Sequence, residues 1–182
     1  MSKPLPVQLD ASCAQCLIFT EKEGLLSSVA HDLKIEVGDF EISWDAETIT
    51  ARFSPRSLRV VNAMKGKREN PEALGDSDKA KIEKHIIDDV LQAKKHRKIE
   101  FRSSEVAEEG KGFRIAGEFT LHGVTRPIKL KLSRRGARWS TQVSIDQRDY
   151  DIKPFSAMLG TLKVKPKLRV TLSLAADDLP LE

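Results

Sequence analysis

Aromatic residues make up only 5% of this 182-residue chain, and cysteines number two. No apolar run approaches the ~18–20 residues that a membrane-spanning helix needs. Sparse aromatics argue against single-strand nucleic-acid binding, which stacks bases on exposed rings, so no nucleic-acid partner is expected. Two thiols make no disulfide framework. Cys13 and Cys16 have redox-motif spacing but enter a strand-forming stretch rather than a helix N-terminus, which leaves them incidental. No long single-sign tail exists: 31 basic and 27 acidic residues interleave to a net charge of +4, a balance that permits an anionic partner without indicating one. The opening MSKPLPVQLDAS has no apolar core of signal-peptide length. A cytoplasmic location is therefore expected, or a periplasmic one if a signal was removed.

What the chain does have is alternation. Phe113, Ile115, Phe119 and Leu121 share one parity, as do Ile128, Leu130 and Leu132, on either side of the corner His122-Gly123-Val124-Thr125-Arg126-Pro127. Successive strand side chains point to opposite faces, so this is a hairpin with a dry face and a wet face. The same pattern marks Ala14–Thr20, a long strand from His31 to Trp44 that bends near Gly38, and strands at 48–53, 58–61, 99–103, 139–145 and 162–174. Pro166 falls on the apolar parity of the last, where it cannot donate to a ladder and suggests an edge, bulge or seam. Residues 25–30 read as a single helical turn and residues 62–75 as a long polar loop.

One helix is expected, over about residues 77–92. Asp76-Ser77-Asp78 suits a helix start, Ile82, Ile86 and Val90 recur every four residues, and Lys94-Lys95-His96-Arg97-Lys98 suits the negative end of the dipole. About eight strands, each with one apolar face, admit a sandwich or a closed antiparallel barrel. The organisation expected is a loose leader over residues 1–12, one domain over 13–176, and a tail over 177–182.

Several segments together resemble the YceI-like family, lipocalin-like barrels associated with polyisoprenoid binding. Gly117-Glu118-Phe119-Thr120-Leu121-His122-Gly123-Val124-Thr125-Arg126 is similar to that family's G-x-L-T-L-H-G-V-T-[RK] hairpin. Val29-Ala30-His31-Asp32-Leu33, Ile99-Glu100-Phe101-Arg102-Ser103, Arg148-Asp149-Tyr150-Asp151-Ile152 and Leu159-Gly160 fall in the family's order. Three features depart from it: the absent signal, the missing T-x-N-x-x-R-D-x-H-L stretch in residues 62–75, and Asp151 where the family has glycine. The resemblance implies an all-β, antiparallel lipocalin-like β-barrel of about eight strands with one inserted helix. It also implies an apolar tunnel that takes a polyisoprenoid or other long-chain lipid.

Residues on apolar parities then become lining candidates: Phe19, Ile35, Phe53, Phe101, Phe113, Phe119, Trp139 and Leu162. Arg148, with Tyr150 beside it, becomes a candidate for a polar head at the mouth. The competing reading of each is a packed core or a structural corner. No catalytic residue, cofactor or metal is expected, because no nucleophile stands beside a base and His31 and His122 have no third ligand at recognisable spacing. An enzyme reading, a lipid isomerase or cyclase, would rest on His31, Asp32, His122 and Tyr150. A filled barrel acting as a protein-binding module is a third reading. Transient membrane-surface contact and a homodimer through an edge near Pro166 complete the expected partners.

Overall fold

The computed structural model describes residues 6–24, 31–45 and 47–179; the expected helical turn at 25–30 lies outside them. In chain order the strands are β1 (Val7–Asp10), β2 (Ala14–Thr20), β3 (Lys22–Glu23), β4 (Asp32–Val37), β5 (Phe40–Trp44), β6 (Ile49–Phe53), β7 (Leu58–Lys65) and β8 (Arg68–Asn70). Helix α1 (Asp76–His85) follows. Then come β9 (Ile99–Glu109), β10 (Gly112–Leu121), β11 (Val124–Arg135), β12 (Arg138–Asp146), β13 (Ser156–Ala157), β14 (Leu162–Val164) and β15 (Lys167–Ala175).

Twelve strands pair antiparallel in the order β1-β5-β6-β9-β10-β11-β12-β15-β2-β4-β7-β8. The hydrogen-bonded order does not rejoin, yet its two ends are halves of the same three chain segments. β1 runs into β2, β4 into β5 and β6 into β7, bending at residues 11–13, at Gly38 and at 54–57. Val7 pairs with Trp44 while Thr20 pairs with Leu33; Phe40 pairs with Phe53 while Val37 pairs with Leu58. Counted as continuous segments there are eight, and each is laddered to the next around the ring, from 7–20 through β9, β10, β11 and β12 to β15 and back to β2. The wall closes through the covalent chain as an eight-segment antiparallel barrel. Eight is the size at which an interior is either filled by side chains or holds one small ligand.

The ladder between β11 and β12 is short, with three pairs from Ser133↔Ser140 to Arg135↔Arg138. Elsewhere the register is tightly specified. Gly117 sits at the bulge between β9 and β10, where a Cβ would stand 2.3 Å from the Arg102 carbonyl oxygen and 2.8 Å from the Phe101 ring. Only glycine lets the two backbones approach this closely.

Four expectations change. Within the expected leader, residues 7–10 form β1, which pairs with β5 and buries Leu9, while residues 1–5 lie outside the described residues. The supposed loop at 62–75 carries the end of β7 and all of β8. The helix is regular only to His85 and then widens into a π-turn over Ile86–Val90. Of the expected tail, Leu179 is buried in the core at 2% exposure, and residues 180–182 lie outside the described residues.

The helix has a clear mechanical role. Its Glu83 carboxylate accepts a 2.7 Å hydrogen bond from the Val60 N–H, and Lys79 Nζ donates to Asn62 Oδ1 at 3.1 Å. The edge that β7 presents is thereby covered, as exposed strand edges must be. Ile82, Ile86, Ile87 and Leu91 pack inward against the core.

Candidate functional site: an apolar cavity with one mouth

Inward parities from all eight segments converge on a cavity of about 600 Å³. Its wall is apolar: Ile35, Phe101, Ile115, Leu130, Val143 and Leu172, among others, line it. Helix α1 and the π-turn supply Ile82, Ile86, Val90 and Leu91, so the inserted helix is part of the wall. A protein interior is ordinarily packed to crystal density. Space of this size, lined this way, falls in the range of small-molecule sites.

The two ends of the cavity differ: one is aromatic, and the other, its mouth, carries charged residues. At the aromatic end, Trp44 and Phe113 meet edge to face at 5.1 Å and Phe113 lies 5.9 Å from Trp139, an aromatic plug beside the turns at 110–111 and 136–137. The opposite end is bordered by Lys22, His31, Lys81, His85, Phe155 and Lys163. A second small sheet, in the order β13-β14-β3, frames it. His85 joins helix to rim, its ring 5.0 Å from Phe155 and its Nδ1 2.7 Å from Asp89. Two hydroxyls interrupt the apolar wall. Thr20 Oγ1 and Thr141 Oγ1 are buried without a hydrogen-bond partner among the described residues, and both residues line the cavity. Such groups cost free energy unless something satisfies them. Cys16 also faces inward, and burial pushes its thiol up to about 12, so it is inert as a nucleophile near neutral pH.

The residues singled out from sequence divide in two. Ile35, Phe53, Phe101, Phe119 and Leu162 line the cavity. Phe19, Phe113, Trp139, Tyr150 and Arg148 do not. Phe19 points outward, with the Arg169 guanidinium 3.9 Å above its ring; β2 is apolar on both parities, and Cys16, Ile18 and Thr20 take the inner one. Phe113 and Trp139 form the plug. Tyr150 packs behind Leu121, Ile145 and Ile152, which do line the cavity, with its ring 5.7 Å from Phe119. Burial and then the neighbouring Asp149 raise its phenol above the usual range. Arg148 is a corner clamp, held by Asp146 at 2.6 and 2.9 Å; that hydrogen bonding lowers the Asp146 carboxyl. The cavity residues that sequence reading missed are those of the helix and rim, Ile82, Lys81 and His85, whose inward face needed the helix to be placed against the barrel.

The histidines are divided: His31 and His85 border the cavity, whereas His96 and His122 do not line it. His122, at φ 54° in the β10–β11 turn, stacks on His96 with ring centroids 4.0 Å apart, away from the cavity. Burial, then the charge of His122, lowers His96 from its ordinary value. Among the described residues no cluster of three His, Cys, Asp or Glu side chains could hold a metal. Gln147, buried at the corner before Tyr150, donates to the Lys165 and Pro166 carbonyls at 3.3 and 3.2 Å, which ties the Pro166 seam to β12. Among the described residues no helix is long and apolar enough to cross a membrane.

With this geometry in view, comparison with known proteins is informative. BcnA of Burkholderia cenocepacia has the same fold over 92% of this chain and 99% of its own, at 12% identity and a TM-score of 0.63. The YceI protein of Campylobacter jejuni matches over 78% of this chain and 83% of its own, at 16% identity and a TM-score of 0.50. In sequence, a UPF0312 protein of Vibrio cholerae is 39% identical over 101 residues, 54% of this chain and 47% of that protein. A UPF0312 protein of Serratia proteamaculans is 36% identical over 56 residues, 30% of this chain and 29% of that protein. The chain thus spans about half or less of the curated relatives it matches. The model of the YceI-like domain matches residues 19–176, and the chain belongs to the YceI-like family.

Proposed function

We propose that the chain binds a long apolar ligand, a polyisoprenoid or related lipid, in the barrel cavity and sequesters or carries it without chemical change. The observation that carries this reading is the cavity of about 600 Å³, apolar along its wall and bordered by charged residues at its mouth. Burial of a hydrocarbon chain contributes ~25 cal/mol per Å² of apolar surface removed from water, so affinity needs a dry, shaped interior and no reactive group. The Thr20 hydroxyl, buried without a partner among the described residues, is a partner for one polar atom of the ligand head. For the alternative lipid isomerase or cyclase reading, His31 and His85 are the histidines on the cavity, while His122 lies outside it and the Asp32 carboxylate is engaged by the Lys22 N–H at 2.7 Å.

A titration of delipidated protein with a fluorescent polyene fatty acid tests this reading. Saturable binding at one site per chain, competed by a long-chain polyprenol, is the expected result. A linear, non-saturable response that polyprenol leaves unchanged would contradict it.

A further inference from the structure

We propose that the mouth end of the barrel docks on an anionic phospholipid bilayer, with Leu159 as the inserted anchor and Lys153 and Lys163 as its charged flanks. Leu159 is 106% exposed and, among the described residues, is the one large apolar side chain in that state. A single exposed leucine is ordinary on a protein surface. This one is also held in left-handed backbone, φ 56° and ψ 34°, a conformation that leucine adopts rarely. The chain therefore bears strain at the residue that presents the side chain to solvent, which is the pattern of a functional position.

Place and charge identify the occupant. Leu159 lies between β13 and β14, the strands that frame the mouth, and Phe155, Leu162 and Lys163 from the same segment line the cavity. Residues 152–176 contain Lys153, Lys163, Lys165, Lys167 and Arg169 and no Asp or Glu, in a chain that carries 27 acidic residues. Lys165 is paired with Glu21 at 2.5 Å, and Arg169 is committed to the Phe19 ring. Lys153 and Lys163 are exposed, and among the described residues neither has an ion-pair partner; Glu23 stands opposite Lys163 in the ladder without closing on it. An apolar tip between unpaired lysines matches a surface with negative headgroups over hydrocarbon, better than it matches a protein groove of unstated charge. Docked in this way, the mouth would open toward the bilayer.

The test is co-sedimentation of the full chain with phosphatidylcholine vesicles, with and without a minority of phosphatidylglycerol. Binding to the anionic vesicles, weakened by high salt, is expected. Leu159→Gly removes the anchor and accepts the backbone without strain; it should weaken binding about tenfold, the worth of one buried leucine. Lys153→Gln with Lys163→Gln should weaken it roughly 25-fold, at about fivefold per lysine. Leu159→Gly and the single variant Lys153→Gln, neither of which touches a cavity-lining residue, should keep the wild-type melting temperature and polyene fatty acid affinity, which separates failure of docking from failure of the cavity. Equal binding by wild type and variants would overturn the proposal. So would absence of vesicle binding, or a solution dimer that Leu159→Gly dissociates.

Discussion

Ala51→Trp is expected to give a folded barrel that no longer retains a long-chain ligand. Ala51 is the small residue on β6 between Ile42 and Phe101 in the ladders, and its methyl group faces the cavity. In a packed core such an enlargement costs about 1–3 kcal/mol. Here the indole has open space ahead of it, so the melting temperature should move by only a few degrees, at roughly 2–4 °C per kcal/mol for a chain of this size. Binding is another matter. Displacing roughly 100 Å² of ligand contact at ~25 cal/mol per Å² removes about 2.5 kcal/mol, which approaches a hundredfold in affinity. Fluorescent polyene titration beside thermal unfolding reads both quantities. Leu17→Trp, on the outward parity of β2, is the control and should leave affinity unchanged. Wild-type affinity in Ala51→Trp would show that the ligand lies elsewhere.

Trp139→Ala should do the reverse, lowering stability and sparing the site. Trp139 is 5% exposed and stacks on Phe113, which in turn meets Trp44. Its indole N–H has no partner among the described residues, so truncation forfeits packing rather than a hydrogen bond. Tryptophan-to-alanine changes in cores cost about 3–5 kcal/mol, which corresponds to a fall of roughly 6–20 °C in melting temperature. Because the residue caps the cavity without lining it, the folded fraction should bind the polyene within about threefold of wild type. A large loss of affinity with unchanged stability would contradict its place in the plug.

These two residues also show what could and could not be read from the sequence. The hairpin of β10 and β11 was legible almost residue by residue, because strict alternation fixes faces and His122-Gly123 supplies the two positive φ angles of the turn. Parity failed at Phe19, where both faces of AQCLIFT are apolar and only pairing with β4 and β15 decides which points inward. Parity was right about Trp139 and Phe113 but silent on their height along the barrel axis. Height depends on the register of neighbouring strands and on barrel stagger, properties of pairs of segments rather than of one. The four-residue β1 and the tail carrying Leu179 were too short for a periodicity to appear. The helix face was visible as a stripe, yet its part in the wall was not, since the bond from Val60 to Glu83 joins residues on elements that a one-dimensional pattern cannot bring together. Of the departures from the family pattern, the altered stretch at 62–75 folds into β7 and β8 along the barrel edge, and Asp151 takes the positive φ of 54° that a glycine would occupy freely.

The most direct measurement is mass spectrometry of what the native, never-delipidated protein releases into organic solvent after purification under non-denaturing conditions. The expected result is a long-chain isoprenoid or fatty lipid at about one molecule per chain, lost in parallel preparations of Ala51→Trp. Repeated recovery of protein without any lipid, together with no uptake of added polyprenol, would contradict the role assigned to the cavity.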